Sequence, residues 1–171
     1  DDMYSDWFAV PNSIKTTSVK PSGTVSLLAG ATPGLHYPES RFYIRRIRVS
    51  KHSELLEPMI KAGYKVEPAF GSEDTTMVVE VPVDVGEGIR TVSELSIWEQ
   101  FSLAAFLQRH WADNQVSCTV TFDPETEGDQ LPNVLNYFQY HLKGISLLPR
   151  SSGGAYKQMP YEAIDEKTYK K

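Results

Sequence analysis

The sequence has 171 residues, 40% of them apolar, with a formal net charge of −5; that is one domain of ordinary size with enough apolar surface to bury a core. The acidic balance argues against a general nucleic-acid or membrane-surface binder, a local basic cluster apart, and no run approaches the ~18 apolar residues of a membrane span. Cys118 is the only cysteine, which leaves no disulfide framework and no cysteine-based metal site and fits a reducing, cytoplasmic compartment. No basic-then-apolar leader is present. The chain begins Asp1-Asp2-Met3 and ends Lys170-Lys171, which reads as a processed protein or a piece of something larger.

Trp7, Phe8 and Val10 ahead of Pro11-Asn12 predict the end of a helix running into a turn, with an apolar cluster that needs a partner surface. Residues 14–20 predict a strand. Pro21 ends it, Ser22-Gly23-Thr24 can turn and cap, and Val25, Leu27 and Leu28 open a short buried helix that Gly30 stops. Pro33-Gly34 and Pro38 punctuate a loop that carries His36. Arg41–Val49 is rich in β-formers. Phe42, Ile44, Arg46 and Arg48 share one face, and Tyr43, Arg45, Ile47 and Val49 the other. Those arginines suit carboxylate or phosphate pairing, with structural ion pairs the expectation for at least two of the three.

Ser53 predicts the cap of a helix through Ala62, with Leu55, Leu56, Met59 and Ile60 inward and Gly63 at its end. Residues 64–68 and 75–83 predict a hairpin joined by Gly71-Ser72-Glu73-Asp74. The near-continuous apolar run Met77, Val78, Val79 and Val81 favours burial on both faces. Thr91-Val92-Ser93-Glu94 has capping-box spacing ahead of a long helix over about 94–111, whose aromatics suit a core. Residues 115–122 predict a strand with Val116, Cys118, Val120 and Phe122 in one row, so Cys118 is a small buried hydrophobe rather than a catalytic thiol. A helix over 131–143 follows, then a short strand over 145–148, a flexible Ser151-Ser152-Gly153-Gly154, and an acidic helix start near the end. The alternation of strands and helices predicts an α/β fold, read as a single segment over 1–171.

The chemistry visible in the residues is sparse. No Gly-rich dinucleotide or Walker fingerprint occurs, and no metal-ligand spacing or carboxylate dyad stands out, so no catalytic residue and no metal ligand is assigned. One corner remains, Lys20-Pro21-Ser22-Gly23-Thr24-Val25. A helix N-terminus leaves backbone N–H groups pointing outward, which suits phosphate, and Gly23 lets that backbone approach a ligand. The same residues also suit an ordinary strand–turn–helix corner. His36 is a possible ligand contact, or a packing and hydrogen-bonding residue.

The run Lys15-Thr16-Thr17-Ser18-Val19-Lys20-Pro21-Ser22-Gly23-Thr24-Val25-Ser26-Leu27-Leu28-Ala29-Gly30 resembles the adenosylcobalamin-dependent (class II) ribonucleotide reductases of the monomeric ribonucleoside-triphosphate reductase type. Thr32-Pro33-Gly34-Leu35-His36, Ser40–Arg46, Asp113-Asn114-Gln115-Val116-Ser117, Thr119–Phe122, Ser146–Pro149 and Gln158-Met159-Pro160-Tyr161 resemble the same family in the same order. The resemblance implies the C-terminal part of a ten-stranded α/β barrel in a larger enzyme. It implies that Pro21, Ser22, Gly23, Thr24 and Val25 hold the substrate's phosphates through backbone amides; His36 is the candidate contact to substrate or the cofactor loop. It further implies adenosylcobalamin as cofactor, a ribonucleotide substrate, the remainder of the barrel as partner and a thioredoxin-type reductant.

The departures from that family are equally specific. Its thiyl-forming cysteine, the cysteines that reduce substrate and its C-terminal cysteine pair have no counterpart in these residues, and Cys118 stands in an apolar row. Gly144-Ile145-Ser146-Leu147-Leu148 lacks the paired tyrosines that serve radical relay in the diiron reductases, which suits a local radical source. A stand-alone nucleotide-phosphate binding module, or a structural module without catalysis, is the alternative.

Overall fold

The computed structural model describes residues 1–21, 26, 29–150 and 157–171, in two compact units. The first contains Asp1–Tyr37 and Glu94–Arg150; the second contains Pro38–Ser93 and the described residues from 157 onward.

In the first unit, α1 (Asp2–Phe8) ends on Ala9 in the left-handed conformation, as the turn signals at Pro11-Asn12 predict. Its Trp7 and Phe8 are exposed, as is Ile14. Residues 14–20 do not form the regular strand predicted. They run beside 114–117 with one parallel bridge, Val19 to Val116. The amides of Asn114 and Ser117 donate to the carbonyls of Thr17 and Val19 at 3.0 and 2.9 Å. Ser26 is helical, and the amides of Ala29 and Ala31 donate to its carbonyl. Gly30 sits at φ +68°, the left-handed conformation that ends a helix at little cost for glycine.

The long helix of this unit, α3 (Ile97–His110), starts later than its first capping signal. Val92–Glu94 is a 3-10 turn, and the capping box is Ser96 with Glu99. The Ser96 hydroxyl accepts from the Glu99 amide at 3.3 Å, and the Glu99 carboxylate accepts from the Ser96 amide at 3.0 Å. Two Ser/Thr-x-x-Glu patterns follow each other here, and the second puts Ile97, Phe101 and Ala104 on the core face, all fully buried. Strand β4 (Thr119–Phe122) and strand β5 (Ser146–Pro149) pair in parallel, connected through α4 (Leu131–Phe138). A parallel pair needs such a crossover. Val116, Cys118, Val120 and Phe122 form the buried row predicted for the strand and pack with Ile97, Phe101, Val134 and Phe138. On α4 the inward residues are Val134 and Phe138, whereas Leu135 is exposed.

The second unit is an antiparallel sheet in the order β2-β3-β1-β6, made of β1 (Phe42–Ser50), β2 (Lys65–Pro68), β3 (Thr76–Asp84) and β6 (Tyr161–Ala163). The β2–β3 hairpin and the two-faced burial of Val78 and Val79 agree with the sequence reading. β6 has no clear sequence signal. Helix α2 (Leu56–Lys61) is shorter than predicted; Ser53 does not cap it, and Leu55 and Ile60 are exposed. A six-residue helix presents barely two inward positions, here Leu56 and Met59. The acidic start near the end becomes α5 (Glu166–Tyr169), capped by the Asp165 side chain on the Thr168 amide at 2.8 Å.

The arginines of β1 divide by partner. Arg46 lies opposite Glu80, and Glu80 opposite Lys65, so the pleat lines them up across three strands. Arg46 Nε donates to Glu80 at 2.8 Å, Lys65 Nζ reaches Glu80 at 3.0 Å, Arg46 Nη2 donates to Glu162, and its Nη1 donates to the Met159 carbonyl at 3.3 Å. Burial of Glu80 pushes its carboxyl up, but hydrogen bonds from Lys65 and Arg46 and their charges outweigh that and hold it below the usual range. Arg45 lies 4.3 Å over the Tyr161 ring and bonds the Pro160 carbonyl, while Arg48 is exposed. Among the described residues one of the three arginines is therefore held in an ion pair, not the two expected: β3 and β6 bring acids to Arg46, and β6 brings a ring to Arg45. Replacing Arg46 by Ala strips Glu80 of its closest cation in a site where both side chains are nearly buried, so stability falls by about 3 kcal/mol. Arg48→Ala, by contrast, stays within about 0.5 kcal/mol. Chemical denaturation of the two variants measures the difference.

Candidate functional site

The candidate site is the end of the segment that leads from Thr16 to Pro21. Ser22, Gly23, Thr24 and Val25 lie outside the described residues, as does the flexible stretch predicted at 151–154. Pro21 is exposed at the end of the segment that reaches them. What the structure describes is the frame on which that corner hangs.

The frame begins with the Asp113 carboxylate. Its Oδ1 accepts from the Thr17 amide at 2.9 Å, and its Oδ2 accepts from the Thr16 amide at 3.0 Å and the Thr16 hydroxyl at 3.2 Å. The Thr17 hydroxyl has one proton, and its short 2.6 Å contact is to the Trp111 carbonyl. That hydroxyl in turn accepts from the Asp113 amide at 3.1 Å. The backbone amides of Thr16 and Thr17 are the leading reason that the Asp113 carboxyl is lowered from its ordinary 3.8 to about 2, since they stabilise only the ionised acceptor.

The loop bearing Asp113 is itself fixed from α3 and from the chain after α4. Gln108 Nε2 donates to the carbonyls of Ala112 and Asn114 at 2.8 and 2.7 Å, and its Oε1 accepts from the Val116 amide at 3.2 Å. The Lys143 ammonium donates to the Asp113 carbonyl. An open groove beside this loop is lined by Arg109, Tyr140 and His141 as well as Gln108 and Lys143, but the last two already spend their polar groups on the backbone.

The far end of the segment is buttressed by Gly34. It sits at φ +56°, and a Cβ there would stand 2.8 Å from the Lys20 carbonyl oxygen and 3.3 Å from the Pro21 Cα. Only glycine lets the 33–36 turn lie this close to the backbone that enters the corner. His36 belongs to the same turn. Its Nε2 accepts from the Thr119 amide at 3.1 Å, which places the ring proton on Nδ1, 3.0 Å from the Pro33 carbonyl. Both ring nitrogens are thus occupied within the fold, and a ligand could meet only the ring's faces and carbon edges.

Two residues with structural reach carry no motif signal. Gln100 is buried and holds both backbone groups of Thr121, donating to its carbonyl at 2.8 Å and accepting from its amide at 3.1 Å. Glu127 accepts from the amides of Ile97 and Asp123 at 2.8 and 3.0 Å, tying the start of α3 to the end of β4. The sequence gives neither away: Gln100 follows Glu99, and Glu127 stands in the polar run from Glu125 to Gln130.

Among the described residues no group of three or more His, Cys, Asp or Glu side chains converges as a metal site requires. Burial pushes the Cys118 thiol up to about 11, as its place in the buried row implies. No helix of the described residues is long and apolar enough to cross a membrane.

No protein-family model matches the chain. It is 63% identical over 171 residues to a probable adenosylcobalamin-dependent ribonucleoside-triphosphate reductase of Dictyostelium discoideum, covering 99% of this chain and 22% of the relative. It is 62% identical over 169 residues to the adenosylcobalamin-dependent ribonucleoside-triphosphate reductase of Euglena gracilis, covering 99% and 23%. The Lactobacillus leichmannii enzyme of the same description is 42% identical over 175 residues, covering 100% and 23%. A solved structure of a B-12-dependent (class II) ribonucleotide reductase superposes with a TM-score of 0.78 at 42% identity, over 99% of this chain and 24% of that one. The chain spans less than a quarter of the length of the curated relatives it matches.

Two measurements test the electrostatics. The Asp113 clamp contributes stability above its unfolded value of 3.8 and loses it as pH falls toward about 2. Thermal melts between pH 5 and pH 2 therefore show a steeper loss for the native chain than for Asp113→Asn, which has no carboxylate to protonate at that position. Separately, a thiol-specific reagent at neutral pH modifies Cys118 in the folded chain at least about a hundredfold more slowly than in the unfolded chain, because the buried thiol is neutral and shielded.

Proposed function

We propose that this chain, whose relatives over nearly all its length are adenosylcobalamin-dependent ribonucleoside-triphosphate reductases, is a segment of such an enzyme. That enzyme reduces ribonucleotides, as triphosphates, to 2′-deoxyribonucleotides by radical chemistry in the cytoplasm. The segment is the C-terminal part of its ten-stranded α/β catalytic barrel. Identity above 60% with two reductases along the whole chain is the observation that carries this reading.

The segment's contribution is to hold substrate. Pro21, Ser22, Gly23, Thr24 and Val25 receive the phosphates on backbone amides, and the frame from Thr16 to Pro21 fixes where that corner lies. A nucleotide's charge is concentrated on its phosphates, so a corner of N–H donors at a helix N-terminus positions it without a cationic side chain. The parallel pair β4–β5 supplies barrel wall.

The reduction itself needs groups from elsewhere in the enzyme. Replacing a 2′-hydroxyl by hydrogen consumes two electrons and two protons and releases water, and a dithiol supplies both as it closes to a disulfide. Cys118 is the sole cysteine of the chain and is buried, so it cannot form such a pair within this segment. The catalytic cysteines and the site served by a thioredoxin-type reductant belong to the remaining three-quarters. Adenosylcobalamin supplies the radical in such an enzyme. No residue of this segment is assigned to holding it, and His36 would not ligate it through nitrogen, since both ring nitrogens are used within the fold.

A chimera tests the assignment: residues 1–171 replace the matching 23% of the Lactobacillus leichmannii reductase. Retained conversion of a ribonucleoside triphosphate supports the reading, with Gly23→Val raising KM about tenfold or more as its side chain fills the phosphate corner. An unchanged KM in an active Gly23→Val chimera sinks the phosphate assignment. Tight ATP binding by the isolated 171 residues in calorimetry would instead favour a self-sufficient binding module.

A further inference from the structure

The approach to the phosphate corner is fixed by one exposed carboxylate. Asp113 lies on the surface, outside the apolar core, yet among the described residues its side-chain bonds go to Thr16 and Thr17, four to five residues ahead of Pro21. An exposed acid that accepts two consecutive backbone amides does not stabilise a core; it sets where that backbone lies. From Asp113 the register runs forward along two more bonds, Asn114 to Thr17 and Ser117 to Val19, and ends at the tight contact of Gly34 with Lys20 and Pro21.

We propose that Asp113 is the positioning residue of the phosphate corner, setting the register of residues 16–20 against 113–117 and so the place of the backbone amides that follow. The inference rests on the reading of that corner as the substrate-phosphate site. Beyond the clamp, two backbone bonds and the Val19–Val116 bridge hold the segment laterally among the described residues. A slip by one residue would move Lys20 and Pro21, which lead into the corner, about 3.3 Å along the segment. That exceeds the tolerance of a hydrogen bond to phosphate oxygen. The clamp also survives any physiological pH, since the carboxyl stays ionised down to about 2.

The experiment uses the reductase assembled with this segment and compares Asp113→Ala, Asp113→Asn and Gly23→Val, with melting temperature measured in parallel. The expected result is a KM for the ribonucleoside triphosphate raised about tenfold in Asp113→Ala, and less in Asp113→Asn, whose carboxamide oxygen still accepts one amide. Turnover at saturation stays near that of the parent. An acid with a merely structural role would lower the melting temperature and leave KM where it was. If Asp113→Ala does not fold, Asp113→Asn decides: a raised KM supports the proposal and an unchanged KM overturns it. If Gly23→Val itself leaves KM unchanged, the corner is not the phosphate site and the proposal falls with that reading. If Gly23→Val raises KM while both Asp113 variants keep it, the corner stands and the positioning role is overturned.

Discussion

One edge of β4 determines most of what surrounds the candidate corner. The carbonyls of Cys118 and Phe122 point toward β5 and accept from Ser146 and Arg150, so the odd-numbered residues turn their backbone groups to the opposite edge. Along that edge the partners change residue by residue. The Ser117 amide donates to the Val19 carbonyl, the Thr119 amide to His36, and both polar groups of Thr121 are met by Gln100. Backbone groups packed beneath a helix must find partners, and here an imidazole and a carboxamide continue a ladder that the segment before Pro21 only begins.

This arrangement joins several of the sequence pieces that carry the family resemblance within the first unit, whereas Ser40–Arg46 and Gln158–Tyr161 belong to the second. The 15–20 segment provides the first rung of that edge, the 33–36 turn provides the second, and α3 provides the third through Gln100. Moving any of them disturbs the same strand. His36 is thereby a strut between a turn and a strand, and Gly34, two residues earlier, presses against the backbone entering the corner. Substrate positioning in the proposed enzyme is then a property of a hydrogen-bonded edge rather than of any side chain that meets the ligand.

What the sequence made legible follows from which forces leave periodic marks. The buried row Val116, Cys118, Val120, Phe122 and the β2–β3 hairpin were readable because alternation and turn chemistry are local. The inertness of Cys118 followed from the same row. The start of α3 was misjudged by about three residues, because two capping patterns stand in succession and only packing of Ile97 and Phe101 chooses between them. Residues 14–20 looked like a strand because Thr and Val favour extended backbone, but a strand needs a neighbour, and the neighbour supplies one bridge. β6 was missed since three residues pair only because β1 offers a free edge. The roles of Asp113, Gln100 and Glu127 were not legible at all, for each depends on a backbone group far away in sequence: Thr16 lies 97 residues from Asp113, Ile97 30 from Glu127 and Thr121 21 from Gln100.

The arginines of β1 show how the same ambiguity resolves in the other unit. Sequence alone allows them phosphate or carboxylate partners, and the sheet decides by register: Glu80 lies opposite Arg46, and Lys65 opposite Glu80. A cation so placed is committed to its acids and carries no free donor array for a substrate phosphate. The proposed phosphate corner after Lys20 relies instead on backbone amides. Amides cannot be re-aimed by a rotamer; they go where the chain goes. An enzyme that recognises phosphate in this way must control the path of its backbone, and the candidates for that control in this chain are an exposed aspartate, a glycine with no room for a Cβ, and a histidine turned inward.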